Sequence, residues 1–431
     1  MGSRHPSRRV LLSAVVCAFS VAAPGPAIAS TDQYRSQEWG LDAIAAPAAW
    51  TQSDGRNVVV AVLDSGVQID HPDLVGNIWT NPNETVNGID DDGNGIVDDV
   101  HGANTLSHTG DVDDTDGHGT HIAGIIAARA GNGVGIAGVA PGATIMPVKV
   151  WSARGGDTGT VAEGIRYAVS EGATILNISM NADADDPALR DAVQFADDHG
   201  VTIVASAGND GRDIDSAKSY PASYPNPSVL TVTATTPHNH FFRGSNWGTG
   251  DVDLSAPGDM IVSLINGSTY ELNGGTSMAA PFVAGSLALL ESARPDLSQA
   301  QLREALLASA KRTSEVAGRV GAGELDVAAA MHRLVPGQWG ANRAAKVRVR
   351  TARIARMDRK VAVRWSAAGT PSVATWLVKL DGRNIVTVRA HGRHRAACWA
   401  QGTGRHAWTV VGLDASGRHV VKAHKAFRVT A

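Results

Sequence analysis

The amino-acid sequence predicts an α/β fold, a parallel β-sheet flanked by helices on both faces, followed by a smaller all-β domain. Three observations carry this. Apolar runs of strand length alternate with helical patterns from Val58 to Thr235, the alternation that builds parallel sheets. The run Val58-Val59-Val60-Ala61-Val62-Leu63 has no polar member before Asp64, as a strand buried on both faces requires. Beyond Gly340 the pattern changes to period two and the charge balance reverses.

Taken in order, Arg4, Arg8 and Arg9 precede an apolar stretch over residues 10–23, and Ala27-Ile28-Ala29 offers a small-residue cleavage site. This layout predicts a secretory signal peptide over residues 1–29 and hence a secreted, extracellular protein. Of the two cysteines, Cys17 lies in that segment and only Cys398 stays in the mature chain. An intramolecular disulfide is therefore not expected, and stability falls to the core and to metal. No second apolar stretch reaches the length that crosses a bilayer. Strands are predicted over 143–150, 173–178, 201–207 and 230–235, and helices over 163–171 and 187–199. Sites in such sheets gather at the carboxyl ends of strands, where Asp64 stands.

Residues 340–431 hold 19 Lys and Arg against 3 Asp and Glu, a net of +16, and the remainder carries −20. The near-neutral total hides an acidic domain over residues 30–336 and a basic one over 340–431. Lys346-Val347-Arg348-Val349-Arg350, Lys360-Val361-Ala362-Val363-Arg364-Trp365, Trp376-Leu377-Val378-Lys379-Leu380 and Ile385-Val386-Thr387-Val388 alternate as strands do, and Asp381-Gly382 marks a hairpin. Later strands are predicted over 407–413 and 420–429. About seven short strands suggest a β-sandwich, similar to fibronectin type III or immunoglobulin-like modules. Its basic faces suit docking on an anionic surface or polymer, or packing against the acidic domain. Nucleic acid is not an expected partner, and the chain is expected to be a monomer.

The chemistry is concentrated in four segments. Gly275-Thr276-Ser277-Met278-Ala279-Ala280-Pro281 presents a serine between a glycine-rich approach and an apolar helical run, so its hydroxyl meets a helix N-terminus that favours negative charge. A serine hydroxyl needs a base and a group to orient that base. Asp116-Gly117-His118-Gly119-Thr120-His121 supplies the base in His118, and Leu63-Asp64-Ser65-Gly66 supplies the orienting carboxylate. Asn209, after the strand over 201–207, offers an amide donor. His121, a turn beyond His118, reads as a buried structural histidine.

The order Asp64, His118, Ser277 in these contexts resembles the subtilisin-like serine proteases. Trp39-Gly40-Leu41-Asp42-Ala43-Ile44, Val139-Ala140-Pro141, Leu254-Ser255-Ala256-Pro257-Gly258 and Gly321-Ala322-Gly323 are similar to further landmarks of that family. The resemblance spans about residues 37–334. It implies a serine endopeptidase acting on proteins and peptides, with Asn209 and the Ser277 amide forming the oxyanion hole. Ile175-Leu176-Asn177-Ile178-Ser179-Met180-Asn181 resembles the wall of the family's S1 pocket, with Asn181 where glycine is usual, narrowing or polarising the rim. Ala153-Arg154-Gly155-Gly156 resembles the strand that pairs with extended substrate. Ser219-Tyr220-Pro221 corresponds to the far side of S1, with a cis bond before Pro221. No fixed charge is evident in these segments, so a broad preference for an apolar or aromatic P1 residue is expected. Only Ser30 to Ser36 separates the cleavage site from the first helix, which leaves no room for a folding-assisting propeptide.

Calcium is the expected cofactor, in a structural role. Asp90, Asp92 and Asn94 alternate, Gly95 permits a sharp turn, the Ile96 carbonyl follows, and Asp98 comes next, as at the start of an EF-hand loop. His101 stands where the terminal glutamate would be, so the motif is incomplete. Asp111 and Asp113, beside Asp114, form a second acidic cluster. A third site is implied by the resemblance, with Asp73, Asn132, Asp32 and the carbonyls near Val134 and Ile136 as oxygens.

Overall fold

The computed structural model describes residues 31–335, apart from Arg154, and the backbone of seven strands beyond them. The expected signal peptide and the link between the two domains lie outside the described residues. Eight strands form the central sheet: β1 (Val59–Asp64), β2 (Ala103–Asn104), β3 (Thr144–Lys149), β4 (Ile175–Ile178), β5 (Thr202–Ser206), β6 (Val229–Thr235), β7 (Leu254–Pro257) and, after the hairpin β8 (Ile261–Ile265) and β9 (Thr269–Asn273), β10 (Gly323–Glu324). Their spatial order is β10-β7-β6-β5-β4-β1-β3-β2, and every pair is parallel. From β1 the strands β4 to β7 and then β10 follow outward in chain order on one side, and on the other β3 lies between β1 and the edge strand β2.

Helices α1 (Trp39–Ala43), α2 (Ala46–Ala49), α3 (His118–Ala127), α4 (Thr158–Ser170), α5 (Pro187–Asp198), α6 (Thr276–Ala293), α7 (Gln299–Ala308) and α8 (Val327–Leu334) cover the sheet. The strand residues divide by parity. Val60 and Val62 join the core that contains α3 and α6, and Ala61 and Leu63 join the one beneath α4 and α5. The period of two thus assigns each residue of β1 a face, and both faces are dry, as the unbroken apolar run requires.

Helix α4 starts at Thr158, five residues before the predicted start. The reason is local: the Asp157 carboxylate accepts from Gly159 N–H at 2.9 Å and Thr160 N–H at 3.1 Å, and Thr160 Oγ1 takes the Asp157 N–H at 3.0 Å, a reciprocal cap. Helix α5 starts at Pro187 as predicted, with Asp186 as its cap. Among the described residues no helix is long and apolar enough to cross a membrane.

Past the link, strands β11 (Lys346–Ile354), β12 (Lys360–Ala368), β13 (Thr375–Leu380), β14 (Arg383–Arg389), β15 (Arg395–Trp399), β16 (Gly404–Leu413) and β17 (His419–Val429) pair antiparallel in a three-stranded and a four-stranded sheet. Strands β13 and β14 pair up to Leu380 and Arg383; the expected turn residues Asp381 and Gly382 lie outside the described residues. Strand β15 carries no strong alternation and was not anticipated.

Candidate active site

Strand β1 delivers Asp64 to the carboxyl edge of the sheet with only 1% of it exposed. Helix α3 starts at His118, and His118 Nδ1 lies 2.8 Å from Asp64 Oδ1. The Ser65 N–H donates to the same oxygen at 2.7 Å, and Asp64 Oδ2 is buried without a partner. So close an approach of helix to strand needs glycine at 119. A Cβ there would stand 2.1 Å from the Gly66 carbonyl oxygen and 3.0 Å from Asp64 Cβ. Burial pulls the His118 pKa down, but the charge and hydrogen bond of Asp64, aided by Asp116 and Asp114, outweigh it and raise it to about 9. The Trp151 ring lies with its centroid 6.1 Å from that of His118. His121 is fully buried, its Nε2 3.3 Å from the Glu271 carbonyl, and burial lowers its pKa to about 4.

Ser277 is the second residue of α6, among the first-turn amides that have no acceptor within a helix. Pro281 sits inside the same helix. A proline there has no N–H to give the carbonyl four residues back, and that carbonyl belongs to Ser277. The Ser179 hydroxyl donates to it instead at 3.1 Å, and Ser277 Oγ in turn donates to the Ser179 carbonyl at 3.2 Å. The end of β4 is thereby fastened to the start of α6. Asn209 follows β5 with its Oδ1 occupied by the Thr276 N–H at 2.9 Å and the Thr276 hydroxyl at 3.1 Å. With its oxygen held, Asn209 presents its Nδ2 donors.

Beside these residues lies a cleft of about 320 Å3 lined by Trp151, Gly156, Val161, Met180, Asn181, Leu189 and Tyr220, among others. Its one carboxylate, Asp157, caps α4 through Oδ1. Met180, Asn181 and Gly156 meet here as the sequence suggested. Ser179 and Ser219 flank it, and Ser219 is fully buried with its Oγ unpartnered. Asn181 donates to the Ser206 carbonyl at 2.8 Å and accepts from the Ser206 hydroxyl at 3.2 Å, so it ties the segment after β4 to β5 while staying exposed at the cleft. The Tyr220–Pro221 bond is cis. The stretch expected to pair with extended substrate at 153–156 is not a strand over its described residues: Ser152 and Gly155 bridge each other, Gly155 and Gly156 adopt φ of +153° and +135°, and Arg154 lies outside the described residues.

The acidic loop is closed by hydrogen bonds to its own carboxylates. The Asp90 carboxylate turns back onto its own loop, accepting from the N–H groups of Gly93, Asn94 and Gly95. Asp98 accepts from Asn87 and Gly88 N–H, and the Asn94 carbonyl oxygen Oδ1 is taken by the Ile96 N–H. Asp92 instead converges with Glu84 and Asp99, one oxygen of each lying within 4.8 Å of the others. Glu84 is 5% exposed with its Oε2 unpartnered, and burial, with the charges of Asp99 and Asp92, holds its carboxyl above the usual range. Tyr167 OH donates to Asp99 at 2.5 Å. Neither Glu84 nor Asp99 was singled out from the sequence, although Glu84 lies close upstream. Asp111 and Asp113 are exposed and join no such group among the described residues. Asp73 and Asn132 do meet, Asn132 Nδ2 donating to Asp73 Oδ1 at 2.6 Å, while Asp32 accepts from Gly131 and Gly133 N–H in the same loop.

A buried aspartate–histidine pair and a helix-opening serine, together at the carboxyl edge of a parallel sheet, are the parts of a serine hydrolase. Residues 55–323 match the subtilase family. Thermitase of Thermoactinomyces vulgaris is 37% identical over 260 residues, covering 60% of this chain and 84% of that protein. The major intracellular serine protease of Bacillus subtilis is 39% identical over 273 residues, 62% of this chain and 78% of its own. Subtilisin Savinase of Lederbergia lenta is 37% identical over 274 residues, 63% and 90% respectively. Among solved structures, a protease of Pseudoalteromonas arctica superposes with a TM-score of 0.59 at 28% identity, over 71% of this chain and 99% of that one. The chain belongs to the subtilase family and is a serine endopeptidase.

The Gly119 contact gives a direct test. Gly119→Ala pushes α3 off the Asp64 strand, and a shift approaching 1 Å costs about a hundredfold in kcat/KM. The measurement is kcat/KM on a peptide substrate, normalised to folded protein.

Proposed function

We propose that this subtilase hydrolyses peptide bonds through Asp64, His118 and Ser277, with Asn209 assisting. The observation that carries this is the 2.8 Å contact of His118 Nδ1 with Asp64 Oδ1, which fixes the ring so that its Nε2 is the free base. Ser277 Oγ turns from the Ser179 carbonyl, gives its proton to His118 Nε2 and attacks the scissile carbonyl carbon. The carbonyl π electrons move to oxygen, and the resulting oxyanion accepts from Asn209 Nδ2 and the Ser277 N–H. The tetrahedral centre collapses, the C–N bond breaks, and the amine leaves with the proton from His118. Water, deprotonated by His118, then cleaves the acyl-enzyme ester by the same route in reverse.

Around the scissile bond the reading assigns substrate contacts to Gly155, Gly156, Ser179, Met180, Asn181 and Ser219. The mainly apolar lining of the adjacent cleft, formed by Trp151, Val161, Met180 and Leu189 among others, supports a broad preference for apolar or aromatic side chains, the P1 residue included. Structural calcium is assigned to the Glu84, Asp92 and Asp99 group, supported by the unpartnered Glu84 Oε2, and to the Asp73 and Asn132 loop. Bound there, the ion supplies compensating positive charge to carboxylates that otherwise repel. Export rests on the basic, apolar and small-residue pattern of residues 1–29.

Casein incubated with the enzyme is degraded, and Ser277→Ala abolishes this. Sequenced products end mainly in apolar or aromatic residues; strictly basic ends would remove the specificity assignment. Excess chelator lowers the melting temperature by about 5–10 °C, the scale set by losing a ligand present at about a hundred times its Kd, and Glu84→Gln shrinks that drop. An unchanged melt in chelator would remove structural calcium. Protein recovered from culture medium begins at or after Ser30; retention of residues 1–29 inside the cell contradicts export.

A further inference from the structure

Asp64 and His118 reach each other from separate elements, and their own hydrogen bond does not explain what holds those elements in register. Asp114 does. It lies in the loop before α3, is 5% exposed, and its carboxylate accepts five hydrogen bonds. Oδ1 takes the Ser65 hydroxyl at 2.9 Å and the N–H groups of Asp116 at 3.0 Å and Gly117 at 2.9 Å. Oδ2 takes the Thr120 N–H at 2.9 Å and the Thr120 hydroxyl at 2.6 Å.

These donors come from three places that must agree. Ser65 follows Asp64 directly, Asp116 and Gly117 lead into His118, and Thr120 is in the first turn of α3. The Ser65 hydroxyl also accepts from the Gly119 N–H at 3.0 Å, so one hydroxyl links the carboxylate, the Asp64 segment and the His118 helix. The loop is held from outside as well. Asn266 Nδ2 donates to the Asp114 carbonyl at 2.7 Å, and the Lys149 ammonium donates to the Asp113 carbonyl.

We propose that Asp114 is a positioning residue of this endopeptidase: acting through Ser65 and the first turn of α3, it sets His118 against Asp64. It touches neither substrate nor the reacting atoms. The inference rests on the assignment of His118 and Asp64 above, and only the role of Asp114 is new. The charged and titratable groups around the His118 ring are Asp64 on β1, Asp114 and Asp116 on the preceding loop and His121 on α3, with Lys149 of β3 held at the Asp113 carbonyl.

The experiment compares Asp114→Asn, Asp114→Glu and Ser65→Ala with the parent full-length enzyme. Active sites are counted with an irreversible serine-directed phosphonate, and kcat and KM are expressed per titrated site. Asp114→Asn keeps the shape, removes the charge and cannot accept at the amide nitrogen. It lowers kcat per site about tenfold to a hundredfold, the range for a small misalignment of reacting groups, while KM changes less than about threefold. Its acid limb in kcat/KM moves to lower pH, because removing a negative charge near His118 lets the ring lose its proton more easily. Ser65→Ala leaves the carboxylate in place and reproduces part of the kcat loss without moving that limb. Asp114→Glu keeps the charge and recovers the parent limb.

A merely structural Asp114 would reduce the number of titratable sites and the melting temperature, with kcat per remaining site and the pH limb unchanged, and that result overturns the proposal. Should Asp114→Asn not fold, Ser65→Ala decides: an unchanged kcat per site overturns the proposal. Failure of the underlying assignment looks different, because the parent enzyme would not then be labelled at Ser277.

Discussion

The enclosure of the Asp64 carboxylate constrains the rest of the molecule. A carboxylate taken out of water is costly unless partners replace its hydration. Here those partners are His118 and the Ser65 N–H, both on one oxygen. For the imidazole to arrive, α3 has to start at the end of β1, and it can start there only because residue 119 lacks a side chain. For the carboxylate to be enclosed, β1 has to be an interior strand, and it lies between β3 and β4. Sheet order, helix start and glycine placement answer to one buried charge.

Helix α6 shows the same economy from the serine side. It is buried along nearly its whole length and packs across the α3 face of the sheet, so its axis is fixed by the core rather than by the site. What the core does not fix is the first turn. The carbonyl that Pro281 leaves open is filled by Ser179, and the hydroxyl of Thr276 is taken up by Asn209. The nucleophile and the amide donor are therefore attached to the ends of β4 and β5, two adjacent strands. The unusual residue in the middle of the helix is what lets its end be tied to the sheet.

Much of this was legible from residues alone. Asp64, His118 and Ser277 stand out because each needs a local context that short-range patterning records: an apolar strand, flanking glycines, a helix start. Asn209 carries no such local mark beyond following a strand, and its role was implied by the family resemblance. The acidic loop was legible as acidic but not as a particular ligand group, because Asp90 closes hydrogen bonds within five residues while Glu84 and Asp99 are brought to Asp92 by the fold of the whole insert. Asn181 reads from the sequence as a polar addition to a pocket; its second attachment, to Ser206, depends on the β4–β5 pairing and is not visible in local pattern. The 153–156 segment has glycines that would let a substrate backbone approach, yet Gly155 is bridged to Ser152 of the same segment.

The parity of β1 has a consequence for how this chain can vary. Val60 and Val62 face the α3 and α6 side, Ala61 and Leu63 the other, and Asp64 inherits its side by being an even number of residues from Val60. Exchanging one aliphatic residue for another in this strand changes a volume. Adding or deleting one residue turns the carboxylate to the opposite side of the sheet, away from the histidine. Divergence in this strand can therefore proceed freely through substitution while its length stays locked, and the spacing from Val58 to Asp64 is a counted distance in which the count matters more than the letters.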